Sequence, residues 1–380
     1  MKVLFLFETP LPDFTTHPAL PEELLVMAAL PQVTAIHALS PAALISGSTS
    51  LPTQLQIPFK LHQHRFSWPV GAIFYYLTWL GLLFFGRRLC RRYHFDLIQA
   101  ESPHLSGLAA LLLTRRYRLP FITEYRVNYP ALLNFRYGPI IGGWLTLVFH
   151  TFSLFVFSRS ALVAANSATL ASWLKHRHPH LRVAYYHPGI KPPPITPLVS
   201  SRRNLDFLGR LHPDKGPDLF LQLISLHQTW FRAHRCHFRL AGIGPLYPQL
   251  IQYCQVHQLT DLVTFVGYVD RWTFLSQTYL LINTTLVSPA LEMALIEAAA
   301  LGIPSVAFGS KSMPETVISG QTGFLVPVYN LDRLFAHCRQ LLTDPQLYLR
   351  FSEAAKIHAQ DYTFAGQVKK LQAIYKVVYA

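Results

Sequence analysis

The sequence predicts an α/β protein of two doubly wound parallel sheets, and three observations carry that prediction. Strand-length apolar runs alternate with helical stretches through the first half, a Pro-rich segment interrupts the rhythm, and a second α/β series follows it. The first-half runs are Val3 to Phe7, Val33 to Leu39, Leu97 to Ala100, Phe121 to Glu124 and Leu162 to Asn166. The interruption is His187 to Pro194, HPGIKPPP, whose prolines and glycine read as a linker. The second series starts at Asn204 to Leu208, and Ala365 to Tyr379 reads as a final helix. No repeat of solenoid period is present. A chain of 380 residues is long enough for two domains, each with its own core.

Composition narrows the chemistry. The formal net charge is +14, which favours anionic partners: nucleic acid, anionic lipid headgroups or phosphorylated substrates. Only 14% of residues are charged and 51% are hydrophobic, so disorder is excluded and a membrane-surface location is an open reading. Nucleic acid is not expected, because the basic residues are scattered among apolar helices without an aromatic-basic recognition motif. Cys90, Cys236, Cys254 and Cys338 lie far apart with no C-x-x-C pair, so they read as reduced core residues of a cytosolic protein rather than metal ligands or disulfides. The opening MKVLFLFETP is too short an apolar run for a signal peptide and reads as a first buried strand.

Two segments, Trp68 to Phe85 and Pro139 to Phe157, approach the roughly 20 apolar residues that span a bilayer. A true span would thread lipid between strands of one sheet, which disfavours it. Two readings stay open: a pair of core helices, or monotopic insertion with Arg87, Arg88, Arg91 and Arg92 on anionic headgroups. The aromatic residues Trp68, Tyr75, Tyr76, Trp79 and Trp144 favour the second.

The most informative stretch is Leu291 to Pro327. A helix closes at Gly302, Ile303 to Phe308 reads as a buried parallel strand, Pro314 and Glu315 open a short helix, and Ser319 to Pro327 turns into another strand. Such a βαβ unit aims its loops at the ligand-binding edge of the sheet. Glu297 stands midway along the apolar helix. A lone buried carboxylate is costly, so Glu297 is expected to face solvent or to meet a polar ligand.

The runs GRLHPDKGPDLFLQL (Gly209 to Leu223), RLAGIGPLYPQL (Arg239 to Leu250) and LVTFVGYV (Leu262 to Val269), with the stretch above, resemble in order and spacing the family four, retaining glycosyltransferases (glycosyl transferases group 1). The resemblance is dense in the C-terminal half and loose in the N-terminal half. It implies the GT-B fold, two Rossmann-like doubly wound domains facing across a cleft. Residues 1–187 would bind the acceptor, 188–364 would bind the nucleotide-sugar, and the helix at 365–380 would cross back to the first domain. By the same resemblance Arg210 and Lys215 would contact the donor diphosphate as the catalytic cations, a role that suits a guanidinium fork and an ammonium point charge.

Gly209, Gly242, Gly244, Leu291, Glu292, Met293 and Glu297 would complete the donor site, the glycines by allowing close backbone approach and the start of the helix by receiving phosphate on its amides. Glu297 matches the second glutamate of the family's E-x7-E motif, which binds the ribose. The first should stand at 289, and this chain has Pro289; Glu292 would replace it only if the loop were rearranged. On the acceptor side the candidates are Glu124 and Arg126, from an E-x-R that follows a strand, with His17 and His104, for which ordinary surface histidines are the plainer reading. Ser167 reads as a helix N-cap.

The resemblance implies a glycosyltransferase, hexosyltransferase-like, that moves a sugar from a nucleotide-sugar donor to a glycan or lipid-linked acceptor in polysaccharide biosynthesis. No cofactor is expected, and no metal, since no D-x-D cluster is written in the sequence. The expected location is the cytoplasm, with peripheral contact at the inner face of the plasma membrane. Pro289 supports an alternative: a catalytically silent relative that binds a nucleotide-sugar or a partner subunit.

Overall fold

The computed structural model describes residues 1–8, 26–41, 58–64, 78–191, 203–287, 291–310 and 312–379. His17, residues 68–77 of the first apolar segment, the three prolines at 192–194 and Pro289 lie outside them. The chain forms two units, Met1–Pro188 with Phe364–Ala380, and Gly189–Thr363.

The first unit is built on β1 (Lys2–Leu6), β2 (Ala35–Pro41), β3 (Phe59–His64), β4 (Leu97–Ala100), β5 (Phe121–Tyr125), β6 (Leu162–Ala165) and β7 (Val183–Tyr185). They form one sheet in the order β3-β2-β1-β4-β5-β6-β7, with every pairing parallel. The sequence reading had not anticipated β3, which joins β2 in register from Ile36↔Phe59 to Pro41↔His64. Alternate residues of β1 serve opposite faces. Leu4 and Leu6 pack with α1 (Thr78–Arg92), α2 (Leu105–Tyr117) and the end of α3 (Tyr129–Phe157), through Leu82, Leu89, Leu111 and Val156. Val3 and Phe5 pack on the other face with Leu371, Ile374 and Tyr375 of the C-terminal helix Phe364–Tyr379. That helix is therefore part of the first unit's core. Ser167 caps α4 (Ala168–Arg177) by accepting from the Leu170 amide at 3.1 Å, as expected.

The second unit is a six-stranded parallel sheet in the order β10-β9-β8-β11-β12-β13. Its strands are β8 (Arg203–Leu208), β9 (Cys236–Ala241), β10 (Val263–Gly267), β11 (Leu280–Asn283), β12 (Ser305–Phe308) and β13 (Gly323–Val326). Its helices are α5 (Pro217–Leu226), α6 (Gln228–Ala233), α7 (Tyr247–Val256), α8 (Arg271–Leu275), α9 (Met293–Ala300), α10 (Met313–Thr316), α11 (Leu331–Thr343) and α12 (Pro345–Ala359). Phe207, Phe220, Phe231 and Phe238 fill one side of the sheet and Leu281, Leu295, Ile296 and Ala307 the other. The unit β12–α10–β13 is the βαβ read from the sequence: β12 pairs with β13 from Ser305↔Gly323 to Phe308↔Val326, and Gly302 ends the preceding helix, α9, at φ +72°. All four cysteines are free and buried, and burial pushes the Cys90 thiol up to about 12 and the Cys254 thiol to about 11.

The second apolar segment corrects one of the two open readings. α3 breaks at Gly138 (φ +75°) before Pro139, and beyond the break only its last turn, Ser153 to Phe157, joins the core, while Ile140 is 86% exposed and Trp144 64%.

Truncating a tail residue should separate core from surface. Ile374→Ala, at a 3% exposed position, should cost about 2–5 kcal/mol, whereas Val377→Ala, at 57%, should stay within about 0.5 kcal/mol, both read from urea melts. A pH effect is expected at the edge of the first sheet. His37 Nδ1 lies 3.1 Å from His62 Nε2 and its ring is 4.4 Å from Tyr93; burial, then the neighbouring His62 and Lys60 charges, lowers its pKa from 6.5 to about 4. The unfolded chain therefore binds more protons between those values, and stability should fall as pH drops through that window. His37→Gln should flatten the slope in pH-dependent denaturation.

Candidate functional site

In a doubly wound sheet, loops diverge where the strand order reverses, and there the carboxyl ends of adjacent strands leave a crevice. In the second unit that point lies between β8 and β11. Gly209 to Gly216 leaves β8, and Thr284 and Thr285 leave β11. Of the sequence candidates, Gly209, Arg210 and Lys215 lie in the first of these segments, and Leu291, Glu292 and Met293 lead into α9.

The β8 loop is shaped by close backbone crossings. The Gly209 amide donates to Ala241 O at 3.0 Å and the Leu211 amide to Ile243 O at 3.0 Å. Gly242 has φ +143°, and a Cβ there would lie 1.9 Å from Gly209 O; one at Gly244 would lie 2.3 Å from Leu211 O. These two glycines were expected to admit a nucleotide. In the structure they admit the protein's own neighbouring loop, which leaves the Arg210 backbone fixed between two crossings.

Arg210 is 69% exposed along its side chain, and among the described residues it is tethered only at one nitrogen, Nη2, 3.4 Å from Asp214 Oδ2. Asp214 is buried; it also meets His212 Nδ1, and its carbonyl accepts the Leu286 amide at 2.9 Å. Sequence reasoning missed Asp214 as the post that holds both the loop and Arg210. Its place directly before Lys215, in a turn flanked by Pro213 and Gly216, was the available signal.

Lys215 Nζ sits 2.5 Å from Glu292 Oε1, so the two candidates form an ion pair that joins the β8 loop to the start of α9. Gly216, at φ +61°, ends that loop where a Cβ would meet Thr284 O at 2.4 Å, and the Thr284 hydroxyl donates to Gly216 O at 2.7 Å. Leu291 is a core residue, 7% exposed, and Met293 is half-buried at the first helical position. Glu292 is the N-cap of α9 and makes no side-chain capping bond, since its carboxylate faces Lys215.

Glu297 corrects the solvent-facing half of its expectation: it is 3% exposed, and Arg271 Nη1 from α8 lies 2.8 Å from its Oε1, an ion partner on another helix. Two hydroxyls missed from sequence are more open to a ligand. Thr285 Oγ1 and Ser310 Oγ, past the ends of β11 and β12, are buried and have no hydrogen-bond partner among the described residues. A buried polar atom without a partner is uncommon and marks where a polar ligand or water belongs.

In the first unit the corresponding edge carries a different network. Glu124 is 2% exposed; its carboxylate accepts from Gln99, from Arg126 Nε and from Tyr186 OH at 3.0 Å. Arg126 Nη1 also lies 3.8 Å from Glu101 Oε1. Gln99 in turn accepts from the Tyr375 hydroxyl. Glu124 is thus a holder of Arg126. His104 corrects the surface reading: it is buried between Tyr129 and Phe149, its Nε2 is 3.3 Å from Ser153 Oγ, and burial lowers its pKa against an opposing pull from Glu8. Among the described residues no three His, Cys, Asp or Glu side chains converge to hold a metal.

Residues 202–344 match the family model Glycosyl transferases group 1. An alpha-D-kanosaminyltransferase of Streptomyces kanamyceticus is 26% identical over 177 residues, covering 45% of this chain and 45% of its own. The chain thus spans about half the length of the curated relative it matches. Sucrose-phosphate synthase from Thermosynechococcus elongatus superposes with a TM-score of 0.83 at 15% identity, covering 100% of this chain and 99% of that one. HepE of Anabaena, solved with UDP and glucose, gives 0.75 at 17% identity with 99% of both chains covered. The fold is GT-B, with two Rossmann-like units.

Two substitutions separate steric crossing from simple backbone strain. Gly267→Ala, at φ +68° with open space around it, should cost about 1–2 kcal/mol, and Gly242→Ala should cost clearly more because Gly209 O occupies the new methyl's position. Urea midpoints of both variants measure the difference. Lys215→Met should remove a charged hydrogen bond worth about 1.5–3 kcal/mol, seen in the same assay.

Proposed function

We propose that this chain, whose residues 202–344 form a glycosyl transferases group 1 domain, is a retaining glycosyltransferase that moves a sugar from a nucleotide-sugar to a hydroxyl of a glycan or lipid-linked acceptor. The observation that carries the reading is the exposed Arg210 guanidinium, anchored by buried Asp214 at the switch point of the second sheet beside Lys215. A guanidinium with most of its donors free is suited to a diphosphate, which it can grip at two oxygens.

In this reading the bond from the sugar's anomeric carbon to the phosphate oxygen breaks while the acceptor oxygen bonds to the same face. The acceptor's proton passes to the departing phosphate. Arg210 and Lys215 stabilise the charge that grows on the diphosphate, and they are already oriented before it grows. Glu292 positions Lys215, while the orphan hydroxyls of Thr285 and Ser310 supply hydrogen bonds to the donor. Glu297, held by Arg271, presents its remaining acceptor capacity to the ribose. In the first unit Arg126, braced by Glu124, is the acceptor-side group. This scheme uses charged side chains for the diphosphate and requires no cofactor.

Pro289 supports a second reading, a relative that binds a nucleotide-sugar or a partner subunit without turnover, because a proline cannot offer a carboxylate at the reacting carbon. Thermal melts with a panel of nucleoside diphosphates and nucleotide-sugars test donor binding, since a ligand of the folded state raises the midpoint. At least one nucleotide should stabilise the protein, and Arg210→Ala should weaken its affinity about tenfold to a hundredfold, the range for a charged hydrogen bond. No stabilisation by any nucleotide would overturn the site. Nucleotide release with an acceptor present then distinguishes the readings: turnover supports the transferase, and binding without turnover that Pro289→Glu restores supports the silent relative.

A further inference from the structure

The first unit carries an apolar surface that the donor-site reading does not use. Beyond the break at Gly138, α3 runs to Phe157 and presents Ile140, Ile141, Trp144, Leu147, Val148 and Phe155 on one stripe, each at least 42% exposed. Only 22% of the most apolar part of this helix is buried. The limb before the break folds back onto it: a Cβ at Gly142 would lie 2.6 Å from both Asn134 Cα and Leu133 O. The result is a helical hairpin with a greasy outer face, larger than the scattered apolar residues of an ordinary surface.

On the same side of the sheet, across α2, lies α1, shown by the shared core of Leu82, Leu111 and Val156. Its exposed face carries Arg87, Arg88, Arg91 and Arg92, and a cavity of about 510 Å³ opens against them beside Phe84. Among the described residues none of these four arginines is in an ion pair. Apolar and cationic surface in one layer complements a sheet of anionic headgroups over acyl chains.

We infer that the α3 hairpin and the α1 arginines form a monotopic docking surface for an anionic lipid bilayer, the hairpin entering the headgroup–acyl boundary and the arginines pairing with lipid phosphates. The helix does not cross: β5 and β6, which flank it, are neighbouring parallel strands from Ile122↔Leu162 to Tyr125↔Ala165, and its last residues, Val156 and Phe157, are buried in the unit's core. The 64% exposed Trp144 sits where an interfacial aromatic is favoured. This surface is independent of the nucleotide site and stands or falls without it.

Cosedimentation of the full chain with vesicles tests the surface. The protein should bind vesicles of phosphatidylcholine with about a third phosphatidylglycerol and be largely released by high salt. Arg87→Glu with Arg91→Glu should weaken that binding at least about tenfold, as expected at roughly 1 kcal/mol per basic residue. Trp144→Ser with Leu147→Ser should bring binding to all vesicles near background, while circular dichroism and nucleotide-induced melting shifts match the parent. Equal binding to neutral and anionic vesicles, or binding unchanged in both double variants, would overturn the inference. So would a dimer, seen by light scattering, that the Trp144/Leu147 variant dissolves in a protein that ignores vesicles, since a second copy would then be the occupant of the stripe.

Discussion

Both sheets are parallel throughout and covered on both faces, and that burial constrains the rest of the molecule. A central parallel strand sandwiched between helical layers has no solvent-facing side, so its residues are mostly apolar and its polar groups either find partners or collect at the ends. In β1, Val3 to Leu6 are all buried, and the first acidic group after them, Glu8, lies past the strand end, where Ser106 N donates to it at 2.7 Å. The one charged pair inside the second sheet, Asp206 on β8 with Arg239 on β9, shows the cost. Burial raises the Asp206 pKa, opposed by the Arg239 guanidinium at 2.5 Å and the Thr278 hydroxyl. A charge at that depth persists only when enclosed by partners.

The same constraint gives the functional edge its character. Because chemistry is displaced to the strand ends, the loop after β8 shares little space with its neighbours: Gly242 and Gly244 let the loop after β9 cross it at near-contact backbone distance, and Gly216 lets it pass Thr284 after β11. Asp214 and Glu292 then fix the two cations differently. Arg210 keeps most of its guanidinium in solvent, while Lys215 is drawn into a short ion pair.

The first unit divides its surface along similar lines. Its carboxylate network, Glu124 with Gln99, Arg126 and Tyr186, is tied through Tyr375 to the C-terminal helix, so the tail sets the position of a group at the strand ends. Away from that edge, the layer of α1, α2 and α3 exposes an apolar stripe and four arginines. Part of the chain's basic and apolar character is thus gathered on one layer, in the α3 stripe and the α1 arginines.

Much of this was legible in the residues. Apolar runs gave β1, β2, β4, β5, β6, β8, β12 and β13 but not β3, Ser167 announced its cap, and GRLHPDKGP placed Arg210 and Lys215 in one loop because a strand, a glycine and a proline-bounded turn are local properties. Pairing was not local. Glu297 looked exposed or ligand-bound because its partner Arg271 is a side chain on another helix, and His104 looked like a surface residue because Tyr129 and Phe149 close over it only after folding. The glycines at 242 and 244 signalled close approach without saying to what. Strand periodicity and turn chemistry are written within a few consecutive residues, so sequence alone determined the α/β architecture and the loop that bears the cations. Which charge meets which, and which apolar face stays uncovered, depends on contacts between residues far apart in the chain, and only the tertiary structure decided them.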